Sequence, residues 1–398
     1  MSLYVDLSEF LLNPIRTGIQ RIAGELCRYL PPNAAIPVRI SSGRYVALAP
    51  ELIEVIGGYF RDKSDIWEVR RLGAENGVPV DFEAADTVLV TEVFDNAERL
   101  AYFRKVPDRE LERYRFLVYD LLPMTHPEYF PLDAPPRLHS YFQLLKRVRQ
   151  CGFISEYTRD TYYGRLRRTN ARGGVVLPLG SDSLGPRPDW PALDRPLTFS
   201  VLGTVEPRKN HELILEAFEP LLRQIEGLNL SFVGAMGWVD PAFAQKVQML
   251  VSDEKSGLRF HAAHGDAAIR SYIEQSRATI YVSSAEGYGL PPVESLWLGT
   301  PVIASTTIPS LQNLGSAGIH YIDPLNVVNL RRAVLAFLED DYANQKTEET
   351  MRLNLPTWKS FTDEVLRWCE PAAACSCEQA DLKASGAPSS DLHGLQTV

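Results

Sequence analysis

The chain has 398 residues, 45% of them hydrophobic and 23% charged, with a formal net charge of −9. That length exceeds one ordinary hydrophobic core and suits two α/β domains of similar size, while the acidic balance argues against a dedicated nucleic-acid binder, which carries a basic excess. Five cysteines, Cys27, Cys151, Cys369, Cys375 and Cys377, are too few and too scattered for a disulfide framework, and they form no CxxC pair that would suggest zinc.

The N-terminal stretch lacks the basic start and long apolar core of a secretion signal. No segment reaches the roughly 18 apolar residues of a membrane helix, so the expectation is a cytoplasmic protein whose membrane contact is at most peripheral. Residues 3–7 read as a buried first strand, followed by an Asn13-Pro14 turn and a helix near Gly18 with Ile19, Ile22, Ala23, Leu26 and Leu30 at helical spacing. A strand, a glycine at the turn and a helix can hold a phosphate at the carboxyl end of a sheet. The Gly-x-Gly-x-x-Gly string of a nicotinamide site is missing, and Gly18 reads equally as one backbone contact to a phosphate or as a plain tight turn.

Residues 36–115 alternate apolar runs with charged helical segments and contain no catalytic string. Residues 116–120 form another buried strand, ending in Tyr119-Asp120 and a proline-interrupted loop that carries His126. A carboxylate at a strand's carboxyl end beside such a loop suits the wall of a catalytic cleft. Further on, Ser155 and Thr158 are helix-start residues. From Lys146 to Arg172 eight basic residues stand against two acidic ones. That excess would attract anionic lipid head groups or a lipid-diphosphate acceptor, or it forms a solvated helical face. Pro186, Pro188, Pro191 and Pro196 mark a linker.

The second half opens with a central strand at 197–203, then Glu206-Pro207-Arg208-Lys209-Asn210 and a helix. Adjacent arginine and lysine at a strand-to-helix turn supply a forked donor and a point charge, a pair suited to a diphosphate. Strands follow at 228–234 and 258–262, the latter running into His264. The strand at 278–282 leads to a turn with Glu286, Gly287 and Gly289, and a helix opens at about Leu290. Glycines allow close backbone approach, and the open N–H groups of a helix start form a phosphate site. Glu286 and Glu294, eight positions apart, would face one ligand from different heights. Strands at 301–304 and 319–322 and a helix at 326–338 complete the unit. Trp358, Phe361, Val365 and Trp368 then lie along one helical face, and residues from 370 onward have the composition of a disordered tail.

Glu286, Gly287, Gly289, Leu290, Pro291 and Glu294, followed by Gly299, Thr300 and Pro301, resemble the signature of the retaining family 4 glycosyltransferases of the GT-B fold. The Glu206-Pro207-Arg208-Lys209-Asn210 string resembles a second element of the same family, in the same order. The resemblance implies an α/β protein of two Rossmann-like parallel-sheet domains facing across a cleft, with a C-terminal helix crossing back to the first. On this chain that means an acceptor domain at 1–183, a linker at 184–196, a donor domain at 197–355, the crossover helix at 356–369 and a tail at 370–398. It implies Glu286 at the sugar hydroxyls beside the reacting carbon and Glu294 at the ribose. Arg208, Lys209, Gly18 and the helix start at Leu290 would hold the diphosphate, the loop at His264 the nucleobase, and Thr204, Gly287 and Gly289 would complete the donor set. Many relatives carry His-Asp where this chain has Tyr119-Asp120, so the acceptor-side role is open between Asp120 and His126.

The implied reaction moves a hexose from a nucleotide diphosphate sugar to a hydroxyl of a saccharide or lipid-diphosphate-saccharide acceptor, with retention, no cofactor and no metal. Tyr119-Asp120 with His126-Pro127-Glu128-Tyr129-Phe130 looks most like bacterial enzymes that add mannose or a related hexose to surface polysaccharides. A sugar-nucleotide epimerase, a phosphorylase and a non-catalytic sugar-nucleotide-binding module are the alternatives on the same architecture.

Overall fold

Runs of branched and aromatic residues separate into two sheets in the computed structural model, which describes residues 2–14, 17–61, 64–169, 173–262 and 265–370. The expected disordered tail lies, apart from Glu370, outside the described residues.

The first half supplies β1 (Leu3–Asp6), β2 (Ile36–Ser41), β3 (Arg44–Ala47), β4 (Val78–Pro79), β5 (Thr87–Val90), β6 (Tyr114–Val118), β7 (Cys151–Phe153) and β8 (Val175–Val176). They pair in the order β4-β3-β2-β1-β5-β6-β7-β8, parallel except at the β2–β3 and β3–β4 edge. β5 is buried at every position, as expected for a parallel strand covered by helices on both faces. The second half supplies β9 (Thr198–Leu202), β10 (Asn229–Val233), β11 (Leu258–His261), β12 (Ala278–Tyr281), β13 (Val302–Ser305) and β14 (Ile319–Ile322). Their order is β11-β10-β9-β12-β13-β14, with every pairing parallel. This is the doubly wound order, and it reverses direction between β9 and β12, where Phe199 faces Ala278 and Ser200 faces Thr279. In such sheets the ligand crevice opens beyond the carboxyl ends of the strands flanking that reversal.

Each half has its own apolar core, around Phe103, Phe116 and Phe153 in the first and Phe199, Phe218 and Phe232 in the second. A third cluster joins them, running from Val5 and Leu26 through Leu202 and Leu296 to Trp358 and Val365. The last two belong to the helix Trp358–Cys369, whose start is fixed by a reciprocal cap: Ser360 N donates to Thr357 Oγ1 at 3.1 Å and Thr357 N to Ser360 Oγ at 3.0 Å. This helix returns to the first half, where Cys369 O accepts a hydrogen bond from Thr87 at 3.2 Å. Its entry segment runs beside the stretch just before the proline-rich linker: Ser181 N donates to Pro356 O at 2.9 Å and Trp358 N to Asp182 Oδ1 at 2.7 Å. Among the described residues no helix is long and apolar enough to cross a membrane.

Candidate active site

The turns after β9 and β12 are tied to each other by their own backbone. Ser284 N donates to Arg208 O at 2.7 Å, and Asn210, held at φ 55°, sends its amide to Val282 O at 2.7 Å and Ser284 Oγ at 2.9 Å. Asn210 tolerates the left-handed region better than most residues, which lets the chain turn abruptly from the basic pair into the helix His211–Gln224. The two turns open onto one cleft of about 810 Å³ whose lining includes Arg208, Lys209, Glu286, Leu290, Gly18 and Asp120. That volume is in the range of small-ligand sites, roughly 300–1,000 Å³.

Arg208 sits between two carboxylates, with Nη1 2.5 Å from Glu286 Oε2 and Nη2 2.6 Å from Glu206 Oε1. Nη1 also donates to Ala285 O at 3.1 Å. A guanidinium has five N–H donors, so these contacts leave the Nε–H and one Nη2–H uncommitted among the described residues. Lys209 is less well paired, its ammonium 3.9 Å from Glu206 Oε1 and packed against Gly203, where a Cβ would come within 2.2 Å of Nζ. Burial, with Arg208 alongside, lowers the Lys209 ammonium below the usual lysine range despite Glu286 and Glu206 nearby. The result is a poorly hydrated amine at the cleft, flanked by Glu206 and Glu286. Burial on its own would raise the Glu286 carboxyl, but Arg208, Lys209 and the Ser283 hydroxyl at 2.9 Å hold it below the ordinary glutamate value. Glu286 is therefore a carboxylate at neutral pH. Gly289, at φ 90°, caps the helix Leu290–Trp297; Pro291 and Pro292 carry no N–H, so of its first three residues only Leu290 has an amide to offer the same space.

The opposite wall comes from the first half. Thr17 caps the helix Gly18–Tyr29 by accepting from Gln20 N at 3.2 Å, which brings Gly18 to the cleft. Asp120 follows β6 and accepts from Leu122 N at 3.0 Å. Burial raises its carboxyl, opposed by that hydrogen bond and by Arg208, and reinforced by Glu286 and Glu206. Glu294 is buried, accepts from Ser183 Oγ, and is raised by burial against the pull of Arg21. Arg21 in turn makes a two-pronged pair with Asp266 across the halves, at 2.6 and 3.0 Å.

Of the residues singled out from sequence, Gly18, Asp120, Thr204, Arg208 and Lys209 line this cleft, together with Glu286, Gly287, Gly289, Leu290 and Glu294. His126 does not line it: its ring stacks on Tyr129 and its Nδ1 lies 3.2 Å from Glu128 on an exposed loop. His264 lies outside the described residues. Tyr119 borders the cleft as well, while its hydroxyl donates to Thr91 O and its ring joins the apolar cluster shared by the two halves. Sequence reasoning gave no role to Glu206 or Asn210, although both stand inside the basic string it identified. It also missed Trp238, whose indole donates to Tyr129 O at 2.7 Å and lies along Phe130 at the cleft. No sequence period would have flagged that contact.

Three of the eight basic residues of the run that starts at Lys146 meet carboxylates. Arg147 pairs with Asp108 at 2.8 Å, Arg149 with Glu112 at 3.2 Å and Arg159 with Asp160 at 3.3 Å, while Arg167 donates to the Lys146 and Val148 carbonyls. Arg172 lies outside the described residues.

Residues 187–354, which hold the basic pair and both glutamates, match the glycosyl transferases group 1 profile. The serotype-specific mannosyltransferase WbdA of Escherichia coli is 31% identical over 173 residues, covering 43% of this chain and 20% of WbdA. The O-antigen chain mannosyltransferase B of Escherichia coli is 27% identical over 242 residues, 58% of this chain and 62% of that protein. The chain thus spans about a fifth of WbdA and under two thirds of the second relative. Among solved structures, Anabaena Alr3699/HepE in complex with UDP aligns with a TM-score of 0.61 at 11% identity over 92% of this chain and 99% of that one. A glycosyltransferase from Rickettsia africae aligns with a TM-score of 0.59 at 14% identity, over 92% and 97% of the two chains. This chain has the GT-B fold, and its residues 187–354 match the glycosyl transferases group 1 model.

Proposed function

We propose that the chain is a retaining hexosyltransferase that moves a mannose-like sugar from a nucleotide diphosphate sugar to a hydroxyl of a polysaccharide or lipid-linked saccharide, in the cytoplasm or at a membrane surface. The observation that carries the reading is the meeting of Lys209, Arg208 and Glu286 in one cleft at the reversal point of the second sheet. The names of the two Escherichia coli relatives support the sugar and the acceptor class.

In this reaction the bond between the anomeric carbon and the phosphate oxygen breaks as the acceptor oxygen bonds to that carbon. The acceptor's proton passes to the departing phosphate oxygen, which leaves on the face where the acceptor enters, so configuration is kept without a protein nucleophile. Negative charge grows on the diphosphate and positive charge on the sugar ring. Lys209, the two uncommitted N–H groups of Arg208 and the single amide of Leu290 answer the first, and the Glu286 carboxylate answers the second. Asp120 stands on the acceptor side of the same cleft. Its raised carboxyl suits a hydrogen bond to the incoming hydroxyl.

The test is acceptor-dependent release of nucleoside diphosphate from a panel of nucleotide sugars, with the anomeric configuration of the product read by NMR. Inversion would sink the retaining mechanism, and loss of turnover in excess chelator would sink the view that Arg208 and Lys209 supply the cationic charge alone. Release of diphosphate without any acceptor dependence would point away from transfer.

A further inference from the structure

Two hydroxyls in the first half, outside the cleft lining, reach the turn that carries Glu286. Ser155 Oγ donates to Gly287 O at 2.6 Å, and Thr158 Oγ1 donates to Tyr119 O at 2.8 Å and lies 3.3 Å from Gly287 O. Each hydroxyl has one proton to give. The shorter distances assign the Ser155 proton to Gly287 O and the Thr158 proton to Tyr119 O, with the two oxygens 3.0 Å apart. Both side chains are buried, so neither carbonyl has water as a ready substitute. Gly287 immediately follows Glu286, and Tyr119 immediately precedes Asp120. The pair therefore grips the two carboxylate-bearing turns at adjacent residues, one from each half. Contact between those turns is already close: a Cβ on Gly287 would lie 2.6 Å from Asp120 Cβ and 3.1 Å from Tyr119 O.

Ser155 also serves the fold, since it caps the helix Glu156–Thr161 by accepting from Thr158 N at 3.1 Å. A cap needs only the oxygen lone pair. The hydroxyl proton is free for a second purpose, and here it is spent on the other half of the molecule.

Building on the proposed transfer reaction, we infer that Ser155 and Thr158 are positioning residues, a hydroxyl bracket across the cleft that sets Asp120 against Glu286 when the halves are together. The bracket touches neither the diphosphate cations nor the Leu290 helix start, so it acts on the alignment of acceptor and sugar and leaves nucleotide affinity alone.

Ser155→Ala and Thr158→Val test it, with Thr158→Ser as the variant that keeps the hydroxyl. Misplacement of reacting groups by an ångström costs about 10²-fold in rate, and a kcat loss approaching that size is expected for Ser155→Ala and Thr158→Val, with Kd for UDP and GDP unchanged and most activity retained in Thr158→Ser. Wild-type kcat in both hydroxyl-less variants would overturn the inference, as would equal loss in Thr158→Val and Thr158→Ser, which would mean packing alone. Amide hydrogen exchange across residues 284–289 supplies a readout independent of turnover: Ser155→Ala should exchange faster there, and unchanged exchange would overturn the bracket. If the wild-type protein itself transfers no sugar, the transferase reading fails while the exchange result still decides the bracket.

Discussion

Replacing Lys209 by methionine separates the electrostatic role of the basic pair from its structural one. The ammonium's nearest ion-pair partner is Glu206 at 3.9 Å, and that carboxylate already holds Arg208 at 2.6 Å. At an effective dielectric near 20, a pair at that distance is worth about 4 kcal/mol, against a desolvation cost of several kcal/mol per buried ion. The downward shift of the ammonium, driven first by burial, means the cost prevails even with Glu286 and Glu206 counted. Methionine fills similar space without charge, so the thermal midpoint of Lys209→Met should be unchanged or higher. Because the folded-state value is lowered, the charged form is penalised most below that value. The penalty fades as pH rises toward the unfolded lysine value of about 10.4, so the variant's advantage should shrink at alkaline pH. Turnover should move the other way, since losing one cation aimed at developing charge costs about 2.7–4 kcal/mol, or roughly 10²–10³-fold in kcat. Thermal unfolding and acceptor-dependent diphosphate release, measured on the same preparation, check both signs. A variant that unfolds several degrees lower, or one that turns over at the wild-type rate, would refute the reasoning.

Glu286→Gln keeps the shape of the side chain and leaves Arg208 with Glu206, so nucleoside diphosphate affinity should persist while kcat falls by about 10²-fold or more, as steady-state kinetics would show. Glu92 is buried beneath the first half, accepts from Phe10 N at 2.6 Å, and is pushed by burial from the ordinary 4.5 to about 8 against the pull of Arg99. Its contribution is full below the unfolded value and lost as pH rises through about 8, so Glu92→Gln should flatten that part of the stability profile in urea titrations between pH 4.5 and 8. Trp358 is fully buried where the returning helix meets the stretch just before the linker, and Trp358→Ala should cost about 3–5 kcal/mol in equilibrium unfolding.

The second half was largely legible because its signals are local. Strands such as Ala278–Tyr281 are buried at every position, and the candidate side chains sit in the turns that immediately follow β9 and β12. Arg208, Lys209 and Glu286 could thus be named from the string alone, although sequence could not tell that Arg208 would divide its donors between two carboxylates. In the first half, residues 36–115 were read only as alternating runs, and the β2–β3 hairpin went unseen. Its turn is Ser42-Gly43, both at positive φ, a weaker written signal than Asn-Gly. The resemblance left the acceptor-side role open between Asp120 and His126; Asp120 lines the cleft, whereas the His126 ring stacks on Tyr129 and meets Glu128. Contacts between the halves, such as Ser155 with Gly287 and Trp238 with Tyr129, join residues more than a hundred positions apart. No local period encodes them.

The stretch leading into the linker and the segment entering the last helix run side by side, hydrogen-bonded through Ser181 and Asp182 to Pro356 and Trp358. Two crossings set far apart would define a hinge line, whereas two laid together act as a single pin. Rotation about that pin displaces nearby groups little and distant ones much, like the tip of a long lever. Small changes in the stiffness of those two segments would be felt first at the rim farthest from the pin.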